Sequence, residues 1–229
     1  MRKIAVFVEG QTEMILLRRL LEELAGKKNI VFEVKNFVSD RYAELAAAPP
    51  DGDGLGYYAL LFDCRGETNV KTTIRDRLQS LREAGYAYVV GLRDLYPMKI
   101  DELPRLRLGV SQGIPPMPFP VEIVIAVHEV EAWFLQEATH YERISPELHP
   151  DRFSPVIGFD PRSNRAEDVY HAAGLLDTIY RIAGRAYKKR CASVQRTVDA
   201  LDPERLCIDV PILSPSFGRL LQILDAYLS

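Results

Sequence analysis

Five apolar segments occur in the first 130 residues of the chain, and helical or polar segments separate them. They cover residues 4–8, 30–38, 57–62, 86–92 and 121–127. Unbroken hydrophobic runs of this length, rich in β-branched side chains, are typical of strands buried on both faces of a parallel sheet. Apolar residues at helical spacing fill residues 14–24 and 70–84. The pattern therefore predicts an α/β fold with a mostly parallel sheet flanked by helices.

The chain from about residue 141 has a different pattern. Helical spacing recurs at residues 167–181, 191–201 and 217–227, and residues 206–210 suggest a short strand. The proline-bearing stretches at 95–120 and 141–165 predict irregular structure, and residues 46–56 predict a loop. We therefore expect an α/β core over residues 1–140 and a mostly helical extension, packed on that core, over residues 141–229.

Composition narrows the classes of function. The 229 residues carry a net charge of −3, so any contact with nucleic acid requires a local basic patch rather than bulk charge. The three cysteines form no CxxC pair, which argues against a zinc knuckle and a disulfide framework. No stretch approaches the roughly 18 apolar residues of a membrane span. We therefore expect a cytoplasmic protein that does not span a membrane.

Carboxylates follow four of the predicted strands, and two further acids come shortly after them. These residues are Glu9, Asp63, Asp94 and Glu129 at the strand ends, with Glu13 and Glu131 behind them. In an open parallel sheet the carboxyl ends of the strands lie along one edge, where ligands bind. Like charges at one edge repel each other unless a cation lies among them, and such oxygen ligands favour Mg²⁺ or Mn²⁺. Each acid also has an alternative role as a helix cap or turn residue.

Three residues near the strand ends are candidates for binding phosphate. Gly10 permits a sharp turn from the first strand into a helix whose N-terminus suits a phosphate, although it has the alternative role of a simple turn glycine. Arg65 and Lys71 flank the turn after the third strand and could steady a phosphate. Solvated surface charge is the alternative for both side chains.

The densest basic segment covers residues 181–196 and includes Lys188, Lys189 and Arg190, with tyrosines interleaved. Such a segment could hold a nucleic-acid backbone, and a solvated face or a partner surface is the alternative. His128 is a candidate metal ligand or proton shuttle whose alternative is packing. Trp133 is expected in the core.

Three motifs occur in the order that is found in a bacterial TOPRIM-like family. VEGQTE at residues 8–13 resembles the first motif of TOPRIM domains, the topoisomerase-primase fold. DLYP at residues 94–97 and HEVEA at residues 128–132 resemble the later motifs of that family. The three motifs cover roughly residues 1–140. The segment YKK at 187–189 and PSF at 215–217 also look similar to the tail of the family.

The resemblance implies a phosphoryl-transfer site that uses Mg²⁺ or Mn²⁺. By this match, Glu9 acts as acid, base or metal ligand, and Asp94 holds metal. Tyr96 stands where a second aspartate is usual, so Glu129 and Glu131 are expected to supply the missing ligand.

The first hypothesis is a TOPRIM-like nuclease or related phosphodiester-processing protein in bacterial defence or DNA repair, with Glu9 and Asp94 as its catalytic residues. The resemblance implies nucleic acid as a partner, with DNA favoured over RNA, and an ABC- or AAA-type ATPase as a second partner. The alternative is a non-catalytic subunit that binds nucleic acid or an ATPase through a degenerate site. A third hypothesis is a small-molecule phosphatase or phosphotransferase, against which no aspartate nucleophile follows the first strand.

Overall fold

The predicted strands form one five-stranded sheet in the computed structural model of the chain, which describes residues 1–36, 56–66 and 68–229. The strands are β1 (Arg2–Val8), β2 (Ile30–Asn36), β3 (Tyr57–Asp63), β4 (Tyr88–Asp94) and β5 (Val121–Ala126). Their order across the sheet is β2-β3-β1-β4-β5, and β1 pairs in parallel with both β3 and β4. The predicted α/β class with a mostly parallel sheet is therefore confirmed. Residues 46–55 of the loop predicted at 46–56, and residues 37–38 at the end of the second predicted strand, lie outside the described residues.

Helices follow the strands and make up most of the C-terminal part of the chain, as predicted. They are α1 (Gln11–Ala25), α2 (Asn69–Glu83), α3 (Leu103–Ser111), α4 (Glu131–Gln136), α5 (His140–Ile144), α6 (Pro150–Ile157), α7 (Ala172–Arg181), α8 (Cys191–Ala200), α9 (Pro203–Ile208), α10 (Val210–Leu213) and α11 (Pro215–Leu228). Across the described ranges, no helix has the length and apolar character that crossing a membrane requires.

The chain divides into two compact units that are not continuous in sequence. The first unit comprises Met1–Arg93, Pro104–Ile125 and Gln222–Ser229, and the second comprises Asp94–Leu103 and Ala126–Leu221. The domain boundary predicted near residue 140 stays a prediction.

The core of the first unit lies between the sheet and α2. This helix places Ile74, Leu78 and Leu81 on its buried face, as their helical spacing predicts. They belong to the same apolar cluster as Phe7 on β1 and Phe62 on β3, whose ring centroids lie 5.4 Å apart. Burial of these large side chains supplies the main stabilisation of the unit.

The core of the second unit is built around α4. Trp133, Phe134 and Leu135 are fully buried, which confirms the expectation that Trp133 lies in the core. The indole Nε1–H of Trp133 donates a 3.0 Å hydrogen bond to Ser216 Oγ, and its ring packs at 5.0 Å against Phe217. Ser216 and Phe217 of the PSF segment therefore help to hold Trp133 in this core.

Helices occupy several segments that the sequence predicted to be irregular or, in one case, a strand. The stretch at 95–120 contains α3, the stretch at 141–165 contains α5 and α6, and α9 replaces the short strand expected at 206–210. In α6 and α9 a proline stands in the first turn, at Pro150 and Pro203, where its fixed φ favours a helix start. A side-chain cap precedes each one: His149 accepts the Asp151 N–H at 3.1 Å, and Asp202 accepts the N–H of Arg205 at 3.1 Å.

Candidate functional site

Three carboxylates of the second unit converge on the ammonium of Lys189. Glu129 Oε1 and Glu131 Oε2 each lie 3.1 Å from Lys189 Nζ, and Asp94 Oδ2 lies 3.7 Å from it. The three acids are buried, whereas the Lys189 side chain is 43% exposed because only its end reaches the acids. The structure thus brings together three of the four predicted metal ligands, at the end of β4 and between β5 and α4.

This acidic cluster, defined as Asp94, Glu129 and Glu131, carries more negative than positive charge. Three carboxylates and one ammonium leave a formal charge of −2 when all four groups are ionised. Burial raises the pKa of Glu131, and the neighbouring Glu129 raises it further. Burial alone would lower the pKa of Lys189, but the three carboxylates outweigh it and raise that pKa well above its usual range. Ionisation of Glu131 therefore depends on a cation beside it.

Asp94 and Glu131 each use one oxygen within the unit and direct the other toward Lys189. Asp94 Oδ1 accepts a 3.0 Å hydrogen bond from the Val130 N–H, which holds the connection from β5 to α4 against the end of β4. The hydroxyl of Tyr187 donates a 2.8 Å hydrogen bond to Glu131 Oε1. Both carboxylates are therefore fixed in orientation before any ligand binds.

Both oxygens of Glu129 have partners. Oε2 accepts the N–H of Ala173, in the first turn of α7, at 2.9 Å and lies 3.0 Å from His171 Nδ1, while Oε1 faces Lys189. Burial opposes ionisation of this acid, but Lys189 and the Ala173 N–H outweigh burial and lower the pKa of Glu129. Glu129 therefore keeps its charge more readily than Glu131.

The acidic cluster fits a divalent cation in its chemistry, whereas its present spacing suits an ammonium. Glu131 Oε2 is buried and makes no well-oriented hydrogen bond, although Lys189 Nζ lies 3.1 Å away. Mg²⁺ takes oxygen ligands at about 2.0–2.1 Å. Within the described ranges, no group of three or more His, Cys, Asp or Glu side chains is arranged to hold a metal ion. Binding one at the acidic cluster would require the Lys189 ammonium to move out.

Aromatic rings stand beside the acidic cluster in the same unit. The Tyr96 ring stacks on His171 with centroids 5.5 Å apart and packs at 5.3 Å against Tyr170. The His128 ring meets the Tyr170 ring edge-on at 5.4 Å. His128 is buried with no hydrogen bond to its Nδ1, and burial lowers its pKa. These contacts are those of a packing residue, which is the second of the two roles that the sequence left open for His128.

The first unit contains Glu9, Gly10 and Glu13, directly after β1. Glu13 Oε2 accepts the Gly10 N–H at 2.8 Å, so Glu13 has the capping role that the sequence left open for it. The backbone of Gly10 is extended, with φ −167° and ψ −159°, and an added Cβ would meet only Glu13 Oε2 at 3.6 Å. The chain does turn from β1 into α1 here, but any residue adopts this extended conformation, so the turn does not depend on glycine. The phosphate contact of Gly10, and the catalytic role of Glu9, stay predictions.

Three other candidates of the first unit have structural contacts. Asp63 Oδ1 accepts the Arg65 N–H at 2.8 Å, which is the turn role that was its alternative. The Arg65 side chain is exposed. Lys71 Nζ donates a 2.6 Å hydrogen bond to the carbonyl of Gly109, in the last turn of α3. Phosphate binding by Arg65 and Lys71 stays a prediction.

The basic side chains Arg181, Arg185, Lys188, Arg190 and Arg196 of the predicted basic segment are exposed, whereas Tyr187 and Val194 are buried. Lys188 and Arg190 lie exposed on either side of Lys189. Their binding to phosphate, and that of Lys189, stays a prediction.

Sequence reasoning missed two residues that orient the acids, His171 and Tyr187. The YKK similarity at 187–189 gave a signal for Tyr187, but nothing in the sequence linked it to Glu131, which lies 56 positions away. His171 had no signal, because its role depends on where α7 begins.

A family model described as a domain of unknown function (DUF4276) matches residues 8–225. No curated protein matches the chain. No solved structure matches it either.

Proposed function

The chain belongs to the DUF4276 family, and we propose that it is a TOPRIM-like nuclease that depends on Mg²⁺ or Mn²⁺. The observation that supports this proposal is the convergence of Asp94, Glu129 and Glu131 on one cation position, with a formal charge of −2 that a single ammonium leaves uncompensated. Burying such charge is unfavourable unless a cation balances it. A divalent cation in place of the ammonium would reduce the formal charge of the cluster from −2 to −1.

The three carboxylates would hold the metal, which when bound would polarise a phosphodiester and lower the pKa of a bound water. The residues around them keep the ligands in place. The Val130 N–H fixes Asp94, and the Tyr187 hydroxyl fixes Glu131. Such orienting hydrogen bonds also keep the acids ready to accept a cation.

Lys189 would change partners during the reaction. Its side chain is 43% exposed, and its ammonium would be displaced from the three acids when they bind a metal. An ammonium released beside the metal would bind a non-bridging phosphate oxygen as a point charge. Glu9 keeps the role of acid or base that the resemblance predicts.

The biological setting is part of the same proposal. The substrate would be nucleic acid, with DNA favoured over RNA, and the role would be in bacterial defence or DNA repair. An ABC- or AAA-type ATPase is the proposed protein partner. These statements rest on the TOPRIM-like motifs at 8–13, 94–97 and 128–132.

A second candidate function is a non-catalytic subunit that binds nucleic acid or an ATPase. The position of the Lys189 ammonium favours it, because a permanent ion pair at 3.1 Å from two acids would stabilise the unit without any metal. Tyr96 in place of a second aspartate also favours it. In this case Lys189 would serve the structure alone.

Cleavage assays distinguish the two functions. The purified chain would be incubated with plasmid DNA, single-stranded DNA and RNA in Mg²⁺, in Mn²⁺ and in EDTA. We expect cleavage with either metal, none in EDTA, and a loss of at least 100-fold in Asp94→Asn and Glu9→Gln. Glu147→Gln is the matched control, because it makes the same change at an exposed acid and should cleave like the wild type.

Absence of cleavage by a folded wild-type chain, together with absence of metal binding, would refute the nuclease. The non-catalytic subunit would then be the better account, and the ATPase partner would be the next component to add. Cleavage that persists unchanged in Asp94→Asn would place the catalytic site elsewhere.

A further inference from the structure

We infer that this site takes single-stranded nucleic acid and that bases stack on the exposed rings of Tyr170 and His171. The inference rests on the proposed function and names its substrate class. Its own observations are the exposure of these rings, the hydrogen bonds at their polar atoms, and their position relative to the basic segment.

The two rings are exposed, yet they are held in place. Tyr170 is 45% exposed and the His171 side chain is 57% exposed. The Tyr170 hydroxyl donates a 2.7 Å hydrogen bond to the Pro97 carbonyl, and His171 Nδ1 lies 3.0 Å from Glu129 Oε2. Because the Tyr170 hydroxyl already has a partner within the unit, a ligand would contact Tyr170 mainly through the face of its ring.

Packing behind the rings makes them rigid. Tyr96 contacts both of them, at 5.3 Å from Tyr170 and 5.5 Å from His171, and the ring of the buried His128 lies 5.4 Å from that of Tyr170. A ring that is fixed before binding loses little conformational entropy when a base stacks on it. Exposed, immobilised rings are what a stacking platform for unpaired bases requires.

His171 and Lys189 contact the two oxygens of the same carboxylate, that of Glu129. His171 lies at Glu129 Oε2, and Lys189 lies at Glu129 Oε1. Lys188 and Arg190, on either side of Lys189, are exposed. Bases on the rings and phosphates along the basic segment would therefore place the sugar-phosphate backbone beside the acidic cluster.

This arrangement selects single strands over duplexes. In a duplex the bases already stack on each other and their faces are closed to a protein ring, whereas a single strand offers every base face. Stacking is tolerant of sequence, so the site would accept single-stranded DNA and single-stranded RNA through the same chemistry.

Fluorescence anisotropy with labelled 20-nucleotide probes tests the inference on the full chain. The probes are single-stranded DNA, single-stranded RNA and duplex DNA, each in Ca²⁺ and in EDTA. We expect single strands to bind at least tenfold more tightly than the duplex. Tyr170→Ala should weaken binding of single strands by roughly 5- to 150-fold, the range for loss of one stacked base. The DNA and RNA probes show which of the two nucleic acids is bound.

Two further variants separate stacking from folding. Tyr170→Phe keeps the ring and should bind within about threefold of the wild type. Ile208→Ala removes another exposed apolar side chain, from α9, and should leave binding unchanged. Each variant is checked for an unchanged melting temperature and for Mn²⁺ binding like that of the wild type.

Equal affinity for single strands and duplex, wild-type binding by Tyr170→Ala, or no binding to any probe would overturn the inference. Failure of the proposed function looks different. A chain that binds no metal and cleaves nothing, yet binds single strands through Tyr170, would refute the nuclease and support the inference.

Discussion

Lys189 places one ammonium among three acids that are themselves almost inaccessible to solvent. The sequence predicted the three acids because they follow strands, and it predicted Lys189 as a phosphate-binding residue. The contact between them could not be predicted, because the local pattern carries no information about which distant loop returns to a strand end. The same limit hid the hydrogen bond from Tyr187 to Glu131.

Replacing Lys189 by Met should destabilise the chain and strengthen its response to metal. Removal of one partner from a fully buried ion pair costs about 3–5 kcal/mol, and the 43% exposure of Lys189 reduces this to on the order of 2 kcal/mol. Urea unfolding at pH 7 measures the loss. Added Mn²⁺ should restore more stability to Lys189→Met than to the wild type, because no ammonium competes for the acids.

Lys188→Met is the matched control for this prediction, since it makes the same change at an exposed neighbour. It should unfold within about 0.5 kcal/mol of the wild type. If Lys189→Met were as stable as Lys188→Met and equally insensitive to Mn²⁺, the ion pair would have no energetic role.

His140 should make stability depend on pH. Burial lowers its pKa to about 4, although Glu137 opposes the shift; Arg143 lowers it further, and Tyr141 and Tyr180 pack against the ring. The unfolded chain protonates this histidine near pH 6.5 and the folded chain only near pH 4, so the unfolded state binds more protons between these values. Stability should therefore fall as the pH falls, by about 2 kcal/mol from pH 7 to pH 5.

Urea unfolding of the wild type and His140→Phe across this range isolates the contribution of His140. The variant loses the 2.6 Å contact between His140 Nδ1 and the Glu137 carbonyl at every pH, which lowers its stability by a constant amount. The two proteins are therefore compared by the slope of the unfolding free energy against pH. Parallel slopes for the two proteins would show that His140 has the same pKa in the folded and unfolded states, which would contradict this prediction.

Strands and long helices were predictable because each is an apolar run or a periodic stripe. The bounds of β1, β3, β4 and β5 lie within two residues of their predicted positions. Short helices were missed where prolines suggested irregular structure, as at α6, or where a short strand was expected, as at α9. In α6 and α9 the proline starts the helix, and the preceding cap, His149 or Asp202, decides the outcome.

The packing of α2 on β4 requires a glycine at position 91. A Cβ built there would stand 2.8 Å from Ile74 Cδ1 and 3.0 Å from both Val70 Cγ1 and Ile123 Cγ1. Gly91→Ala should therefore destabilise the first unit by about 1–3 kcal/mol through overpacking, as measured by urea unfolding.

Gly109→Ala, in α3, provides the matched control, because nothing lies within 4 Å of an added Cβ there. It should be neutral or stabilising by up to about 1 kcal/mol, since alanine favours a helix over glycine. A neutral Gly91→Ala would show that the neighbouring side chains move aside at no cost.

At the scale of the whole molecule, the two units could not be read from the sequence because the chain passes between them inside regular elements. The changes fall within or at the ends of β4, α3, β5 and α11. Linker-like composition, which marks boundaries in a sequence, is absent from β4, β5 and α11. The acidic cluster nevertheless belongs to one unit, the second.

The central claim is that Asp94, Glu129 and Glu131 bind a divalent cation in exchange for the Lys189 ammonium. Titration calorimetry of the purified chain with Mn²⁺ tests it most directly, in the wild type, Glu131→Gln and Glu147→Gln. The account predicts one site in the wild type, unchanged in Glu147→Gln and weakened at least tenfold in Glu131→Gln. Absence of binding in the wild type, or equal binding in all three proteins, would contradict it.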